Sequence, residues 1–318
     1  MAEAINAAER VTFLCGIGCA GAKQDIIALA ERVEAPIVYT LRAKDLMEHD
    51  NGCAVGMTGM LGWGAAPQAV SDCDLLVMWG TDFPHRRFLP CGGNVIQVDT
   101  DAAALGRRVP LLLGIQADAG ATARALLPLI SDHRDGDYLC ATRERHSRLM
   151  HKLYRPVVRE GVSGTLRPEY LMRLVSDYAE PDAVFATDSG APMTWAARYL
   201  QMKGSRRFLG GAAQGGMAYA APALPVAIGA KEAQPTRQVI ALCGQSGLTA
   251  LPEQAALLLQ KGLAVKVLVF NPSAHDYAAM AQGLGMAAFS LDNEDAAPAA
   301  VKAWLAIQRP ALLDAKTI

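Results

Sequence analysis

Short aliphatic and β-branched runs alternate with segments of helical periodicity along the first part of the chain. The runs predict strands, and the periodic segments Lys23–Val33 and Thr122–Ile130 predict helices. The predicted strands are Val11–Cys15, Pro36–Thr40, Leu75–Trp79 and Val95–Asp99. Strands that alternate with helices in this way are typical of βαβ units and a parallel sheet.

A second alternating series occupies the later part of the chain. Its predicted strands are Ala183–Thr187, Val239–Cys243, Val265–Phe270 and Ala311–Ala315, and its predicted helices are Gln254–Gln260, Asp276–Leu284 and Ala297–Ile307. Residues 131–161, between the two series, are charged and lack β runs, which indicates a connecting helix or linker. We therefore predict an α/β protein with two doubly wound parallel-sheet domains, 1–131 and 166–318, joined by a linker over 132–165.

Composition excludes several classes of protein. Of 318 residues, 52% are hydrophobic and 19% are charged, which is enough for a sizeable core in each domain. The net charge of −1 and the lack of a basic block argue against a nucleic-acid partner. No apolar run approaches about 18 residues and no signal peptide is recognisable, so we expect a cytoplasmic protein without a membrane partner. The seven scattered cysteines form no C-x-x-C pair, which argues against structural zinc.

A glycine-rich loop follows the first predicted strand. Residues 16–21 read GIGCAG, a full G-x-G-x-x-G between a strand and a helix, where glycine amides can approach a pyrophosphate. An ordinary strand–helix turn is the alternative. The second strand lacks the acid that a plain NAD site needs and runs instead to Arg42 and Lys44, which suit phosphate. Asp99 ends a later strand and suits either a ribose or a helix cap.

Five segments of this first domain resemble a known family. GIGCAGA, YTLRAKDLMEHDN, VGMTGMLG, WGTDFPHR and IQVDTD are similar, in order and spacing, to the central domain of thiamine-diphosphate enzymes. The resemblance is to the branch of pyruvate oxidase and quinone-linked pyruvate dehydrogenase, whose central domain carries FAD. It implies flavin contacts at Gly16, Gly18, Arg42, Lys44, Thr58, Gly59, Gly80, Thr81, Arg86, Asp99 and Asp118.

The second domain resembles the diphosphate-binding domain of the same family. The matching segments are TDSGAPMTWAARYL, RRFLGGAAQGGMAYAAPALPVAIGAKEA, TRQVIALCGQSG and VKVLVFNPS. The family's magnesium motif has an aspartate where this chain has Gln245 and a second asparagine where it has Pro272. Magnesium is bound partly through carboxylate charge, and proline offers no side-chain ligand. We therefore expect FAD as the cofactor, and neither thiamine diphosphate nor magnesium nor any other metal.

The resemblance begins with the central domain, near Val11. The family's N-terminal domain, which binds the pyrimidine ring and carries an activating glutamate, is expected to be absent. The loop that covers the cofactor after Asn271 is also expected to be missing, because helix 276–284 follows almost directly.

Catalytic residues are not defined by the sequence. The candidates are His275 with Asp276, whose alternative role is a helix start with Asp276 as its cap, and Gln214 at a position where the oxidase branch resembles a histidine-bearing loop. The leading hypothesis is a flavin-dependent oxidoreductase acting on a small molecule, without conventional thiamine chemistry. The alternatives are one subunit of a split 2-keto acid enzyme whose pyrimidine domain is on another chain, and a non-catalytic paralogue. A homo-oligomer is expected in each case.

Overall fold

The structure is a computed structural model that describes residues 1–82, 85–90, 92, 94–131, 136–155, 166–210, 223–248 and 251–317. The chain forms two compact units, Met1–Tyr154 and Arg155–Ile318. Each unit has a parallel or mainly parallel sheet interleaved with helices, which confirms the predicted α/β class. The predicted linker 132–165 spans the division between the units and contains a helix, Asp137–Tyr154, that belongs to the first unit.

The first unit is built on a seven-stranded sheet with the order β4-β3-β2-β1-β5-β6-β7. All neighbouring strands are parallel except the short edge strand β4, which is antiparallel to β3. The strands are β1 Val11–Cys15, β2 Ile37–Tyr39, β3 Ala54–Met57, β4 Trp63–Gly64, β5 Leu75–Trp79, β6 Val95–Asp99 and β7 Leu113–Gln116.

Six α-helices belong to the described part of this unit. They are α1 Ala2–Ala7, α2 Lys23–Val33, α3 Lys44–Met47, α4 Ala66–Asp72, α5 Ala119–Leu126 and α6 Asp137–Tyr154. Helix α2 shows how the sequence sets them: Ile26, Leu29, Ala30 and Val33 recur on one face and are buried. The helix ends where Glu34 takes a left-handed conformation, with φ of 55°.

The second unit is built on a six-stranded parallel sheet with the order β12-β13-β11-β10-β8-β9. Its strands are β8 Val184–Thr187, β9 Arg207–Gly210, β10 Val239–Cys243, β11 Val265–Asn271, β12 Ala287–Leu291 and β13 Ala311–Lys316. Its described helices are α7 Pro168–Tyr178, α8 Ala191–Tyr199, α9 Ala223–Ala233, α10 Leu251–Gln260, α11 Tyr277–Gly283 and α12 Ala297–Ala306.

The central strands are the ones that sequence predicts best. Every residue of β1, β5, β10 and β11 is buried, as expected for parallel strands covered by helices on both faces. The strands that the pattern misses, β3, β4, β7, β9 and β12, are short or partly exposed and lie toward the sheet edges. Such strands lack the continuous apolar run on which the prediction depends.

Each sheet has a central point at which the chain reverses the direction in which it adds strands, and in the second sheet β13 is later inserted between β11 and β12. In the first sheet this point lies between β1 and β5, and in the second it lies between β8 and β10. In open α/β sheets, ligands bind in the crevice at the carboxyl ends of the two strands that flank such a switch point. These two crevices are therefore the expected positions of a functional site. Among the described residues, no helix is both long and apolar enough to cross a membrane.

Candidate functional site

The crevice of the first unit is closed by glycine backbones. The Gly16 N–H donates to Trp79 O at 2.9 Å, and the Gly18 N–H donates to Gly80 O at 2.9 Å. A Cβ atom on Gly18 would lie 2.7 Å from Gly80 Cα, a distance that real Cβ atoms do not tolerate. Cys15, the last residue of β1, is fully buried just before this loop. The G-x-G-x-x-G loop therefore packs β1 against β5, and two of its amides are engaged within the protein.

The two cations predicted after β2 lie in different environments. Arg42 is exposed, whereas Lys44 is fully buried and forms an ion pair with Glu48. The Lys44 ammonium also lies 5.3 Å from the centre of the Trp63 ring, a cation–π contact. Tyr39 donates its hydroxyl to the same Glu48 carboxylate at 2.9 Å. Glu48 and Trp63 thus hold the Lys44 ammonium within the protein, where it stabilises the packing of α3.

Thr58 lines a cavity of about 570 Å³ in the first unit. Its side chain is buried, and its hydroxyl has no hydrogen-bond partner among the described residues. Arg87, Phe88 and Asn94 line the same cavity, but none of the other predicted cofactor contacts does. The cavity therefore brings together only one member of the predicted set.

The remaining predicted contacts of this unit lie in turns at the carboxyl ends of strands. Gly59 and Gly80 have positive φ of 104° and 54°, which favours glycine at both positions. The Thr81 carbonyl accepts a bond from Gln97 Nε2 at 3.2 Å. Arg86 is exposed in the turn Arg86–Phe88.

Two predicted carboxylates have local structural contacts. Asp99 Oδ1 accepts from the Asp101 N–H at 3.0 Å, and Asp118 Oδ1 accepts from the Ala121 N–H at 2.8 Å as the N-cap of α5. These bonds explain an acidic residue at each position without a ligand.

A buried carboxylate occupies the crevice of the second unit. Asp188, which follows β8, is 2% exposed. Its Oδ2 accepts from the Gly244 N–H at 2.9 Å, and its Oδ1 accepts from the Ala223 N–H at 3.0 Å. Its own N–H donates to Leu242 O at 2.9 Å. One side chain therefore connects the end of β8, the end of β10 and the first residue of α9.

Burial and hydrogen bonding act on this carboxyl group in opposite directions. Removal from water raises the pKa of Asp188, and the bonds from Ala223 and Gly244 partly offset that rise because they stabilise the charged form. Cys243, the last residue of β10, is fully buried beside it, and burial raises the pKa of its thiol.

A polar network continues from Gly244 to the end of β11. Gln245 Nε2 donates to Asn271 Oδ1 at 3.3 Å, and the Ser273 hydroxyl donates to the same oxygen at 2.8 Å. Asn271 Nδ2 donates to Asp314 Oδ1 at 2.7 Å. Asp314 is fully buried on β13, which lies beside β11. Asp314 is not recognisable from the sequence, because three further elements (α11, β12 and α12) separate it from Asn271 and it lies inside an apolar strand.

The catalytic candidates lie at the edge of this network. His275 is exposed, its Nδ1 lies 3.3 Å from Ser273 Oγ, and its ring stacks on Tyr277 with centres 5.9 Å apart. Asp276 accepts from the Ala279 N–H at 2.8 Å as the N-cap of α11. Gln214 lies outside the described residues, so its position is not assigned.

The donor atoms at this edge are hard oxygens, but the side chains that carry them are neutral. Gln245, Ser246, Asn271 and Ser273 offer carboxamide and hydroxyl groups at the ends of β10 and β11. Within the described ranges, no group of three or more His, Cys, Asp or Glu residues is arranged to hold a metal. These groups can donate hydrogen bonds to an anionic group, and their oxygens are the kind of ligand that magnesium prefers. They carry less negative charge than magnesium sites usually have.

Two family models match the chain. One, described as "Thiamine pyrophosphate enzyme, central domain", matches residues 1–126, and the other, "Thiamine pyrophosphate enzyme, C-terminal TPP binding domain", matches residues 188–274. The chain belongs to the thiamine pyrophosphate enzyme family. Within the family match, the TPP-binding stretch begins at Asp188 and contains Gln245, Asn271 and Ser273.

Similar proteins support this assignment. The chain is 31% identical over 272 residues to the "Putative thiamine pyrophosphate-containing protein YdaP" of Bacillus subtilis, with 85% of this chain and 46% of that protein covered. It is 30% identical over 262 residues to the acetolactate synthase large subunit of Lactococcus lactis, with 80% and 44% covered. An uncharacterized 42.6 kDa protein of Pseudomonas amyloderamosa is 45% identical over 141 residues, with 44% and 36% covered.

The chain is thus a thiamine pyrophosphate enzyme family member related to acetolactate synthase, and it spans about half the length of the relatives it matches. The prediction that FAD replaces thiamine diphosphate, which is the same compound as thiamine pyrophosphate, is wrong. The match of residues 188–274 to the TPP-binding domain and the acetolactate synthase relatives point to thiamine pyrophosphate as the cofactor. Gln245 and Pro272 therefore do not exclude thiamine pyrophosphate, since both lie within the matched TPP-binding domain. The narrower placement in the pyruvate oxidase branch stays a prediction.

Proposed function

We propose that this chain binds the diphosphate of thiamine pyrophosphate at the carboxyl ends of β8, β10 and β11, as part of an enzyme that acts on a 2-keto acid. In this proposal, a pyrimidine-binding domain that is not among these 318 residues completes the active site. The proposal combines the family assignment with the relationship to acetolactate synthase.

The observation that supports it most is the position of Asp188. The carboxylate lies at the switch point of the second sheet and fixes Gly244, from which the neutral residues Gln245 and Ser246 extend. Because a buried carboxylate that accepts two backbone N–H groups is held rigidly, it keeps the ends of β8 and β10 at a constant separation. A rigid loop of polar groups at a switch point is what a phosphate-bearing cofactor requires.

The residues of this chain would bind and orient the cofactor. Gln245, Ser246 and Ser273 would hold the diphosphate, and Asn271 and Asp314 would keep Ser273 in place through their hydrogen bonds. When bound, thiamine pyrophosphate supplies the carbon nucleophile that adds to the carbonyl group of a 2-keto acid. The protein is expected to contribute a rigid scaffold that positions the cofactor.

The test is isothermal titration of the purified chain with thiamine pyrophosphate in the presence of magnesium chloride. We expect saturable binding with one cofactor per chain, because the proposal places the diphosphate at a single site, at the ends of β8, β10 and β11. Release of carbon dioxide from pyruvate would then be measured with and without an added pyrimidine-domain polypeptide, and we expect release only with it.

Two results would contradict the proposal. The first is no binding of thiamine pyrophosphate with any divalent cation. The second is a purified protein that carries the two-band flavin absorption and does not respond to thiamine pyrophosphate. Binding of the cofactor without turnover of any 2-keto acid would leave the cofactor assignment intact and reject the substrate class.

A further inference from the structure

A cavity of about 570 Å³ lies between α4 and the segment that follows β5. From the side of α4 it is lined by Pro67, Val70 and Ser71, which share one face of the helix because they lie three and four residues apart. Residues 87–90 line it from the side of the segment. Small-molecule sites usually have volumes of about 300–1,000 Å³, so the cavity is large enough for a small organic compound.

The cavity differs from the two sites considered above. All of its lining residues belong to the first unit, whereas the proposed diphosphate site belongs to the second. Of the residues that the family resemblance implied as flavin contacts, only Thr58 lines the cavity. A ligand bound here would therefore be additional to thiamine pyrophosphate, and its binding does not depend on the proposed function.

Much of the lining is apolar and stiff. The side chains of this kind are Pro67, Val70, Phe88, Leu89 and Pro90. Val70 and Leu89 are buried in the apolar core beside the sheet, which holds both walls in place. The proline rings and the phenyl ring add flat surfaces with few rotatable bonds. Burial of a flat apolar group against such a surface is favourable, since neither partner loses much conformational freedom.

The Thr58 side chain is an unpaired polar group in this lining. It is 3% exposed, and its hydroxyl has no hydrogen-bond partner among the described residues. Its backbone N–H donates to Tyr39 O at 3.2 Å, so the main chain is fixed while the hydroxyl is not. A rotation about the Cα–Cβ bond exchanges its hydroxyl and methyl positions. Because a buried hydroxyl without a partner loses the hydrogen bonds that it makes in water, a polar group of a ligand is favoured beside it.

The charges at the cavity favour an anion. Asp74 lines it, but its two oxygens accept from the N–H groups of Arg10 at 2.9 Å and Glu9 at 3.0 Å. Arg87 is exposed, its guanidinium lies 4.7 Å from the centre of the Phe88 ring, and no carboxylate of the described residues pairs with it. A guanidinium group binds a carboxylate through two parallel hydrogen bonds. Arg87 is therefore the group expected to hold the acid of a ligand.

We propose that this cavity binds an aromatic carboxylic acid that carries a second polar group on its ring. The ring packs against Val70 and Phe88, the carboxylate binds Arg87, and the second polar group pairs with the hydroxyl of Thr58. The two polar contacts come from different elements, since one follows β3 and the other lies in the turn Arg86–Phe88. A rigid ring with a polar group at each end suits such a pair of contacts.

The test uses three rigid compounds of nearly equal size. They are 6-hydroxynaphthalene-2-carboxylate, naphthalene-2-carboxylate, which lacks the hydroxyl, and 6-hydroxynaphthalene-2-carboxamide, which lacks the charge. Each is titrated calorimetrically into the full chain. We expect the hydroxy acid to bind most tightly, and each of the other two to bind about fivefold more weakly, because each lacks one of the two polar contacts.

Two variants assign the contacts. Thr58→Val is nearly isosteric, so it should weaken binding of the hydroxy acid about fivefold and leave that of naphthalene-2-carboxylate unchanged. Arg87→Gln should weaken binding of both acids about fivefold and leave that of the carboxamide unchanged. Arg86→Gln is the matched control, because Arg86 is the exposed neighbour in the same turn and does not line the cavity. Pairing each variant with the compound that lacks its partner separates a contact from a general loss of stability.

The Cys73 thiol reports on the cavity directly. It lines the cavity, donates to Val70 O at 3.3 Å, and has a pKa that burial raises to about 11. Iodoacetamide should therefore alkylate it slowly. The hydroxy acid at about ten times its Kd should slow this alkylation about tenfold, since about one cavity in eleven stays empty. The exposed Cys140 is the internal control, and peptide mass spectrometry gives both rates.

Four results would overturn the proposal. They are no binding of any of the three compounds, equal affinity for all three, binding that leaves the alkylation rate of Cys73 unchanged, and displacement of the hydroxy acid by FAD, which would make the cavity a flavin site. Thr58→Val should not lower the free energy of unfolding, because the hydroxyl that it removes has no partner among the described residues. If a variant fails to fold, the three titrations and the Cys73 rates of the wild type still decide the matter.

Discussion

The two units have the same kind of switch point, but they fill it differently. At the end of β1, Gly16 and Gly18 contact the backbone of Trp79 and Gly80 directly, with no side chain between the strands. At the end of β8, the carboxylate of Asp188 stands between the strands and accepts from Gly244 and Ala223. The first crevice is joined by close backbone contact, and the second is joined by a charged side chain.

This difference indicates which properties each crevice can have. The close backbone contact between glycines leaves no room for added atoms. A side chain added at the first crevice should therefore lower the stability of the fold. A buried charge with two donors makes the second sensitive to hydrogen bonding and to pH. A fold-level rule locates both crevices, and the chemistry of each depends on one or two residues.

The largest effect is expected from filling the first crevice. Gly18→Ala places a Cβ atom 2.7 Å from Gly80 Cα, so the backbone of β5 must move. We expect a loss of about 3 kcal/mol in the free energy of unfolding, measured by urea with tryptophan fluorescence. Gly52→Ala is the control, because a Cβ atom there has no neighbour within 4 Å. Equal stability of the two variants would contradict the close contact.

The next effect concerns the charged side chain of the second crevice. Asp188→Asn leaves one oxygen acceptor for two N–H groups and turns an amide NH₂ toward the other. We expect the affinity for thiamine pyrophosphate to fall at least about tenfold in calorimetry, because the Gly244 loop loses its support. Glu294→Gln is a matched control, since Glu294 is a buried carboxylate that binds Arg167 at the far edge of the same sheet. A similar loss of affinity in both variants would indicate a general loss of stability instead.

A smaller effect is expected from pH. Burial raises the pKa of Asp188, so the folded state binds this proton more tightly than the unfolded state. The contribution of Asp188 to stability is therefore greatest at low pH and decreases as the pH rises through its raised pKa. The free energy of unfolding of the wild type minus that of Asp188→Asn should increase as the pH falls from neutral, in urea unfolding at several pH values. A decrease over the same pH range would contradict this prediction.

The smallest effect is expected from the exposed cations of the first unit. Arg86→Ala and Arg42→Ala remove side chains that lie in solvent. Stability should change by less than about 0.5 kcal/mol, and the affinity for thiamine pyrophosphate should not change. A clear loss of cofactor affinity in either variant would show that the first unit takes part in binding thiamine pyrophosphate.

The sequence predicts the core of the fold well for a physical reason. The strands β1, β5, β6 and β10 have the bounds that the sequence predicts, because each is a short run rich in aliphatic and β-branched residues. Edge strand β7 was missed because Leu113–Gln116 is short and largely exposed, so burial imposes no pattern on it.

The site was predicted less well, because its contacts join residues that are distant in sequence. Asp188 bonds to Gly244 across 56 residues, and Asn271 bonds to Asp314 across 43. The identities of Gln245 and Pro272 suggested a site without thiamine pyrophosphate, since together they remove the charged ligand and one amide ligand of the family's magnesium motif. The network around them shows neutral oxygens held in place by buried carboxylates, which single positions in the sequence do not reveal.

The buried cysteines at the strand ends can report separately on how often each of the two crevices opens. Cys15 ends β1 and Cys243 ends β10, and both are free, fully buried and raised in pKa by that burial. A thiol of this kind reacts with an alkylating reagent only when the surrounding structure opens. The alkylation rate of Cys243 therefore measures how often the β10 end opens, and that of Cys15 does the same for β1. Thiamine pyrophosphate should slow the alkylation of Cys243 and leave the alkylation rate of Cys15 unchanged.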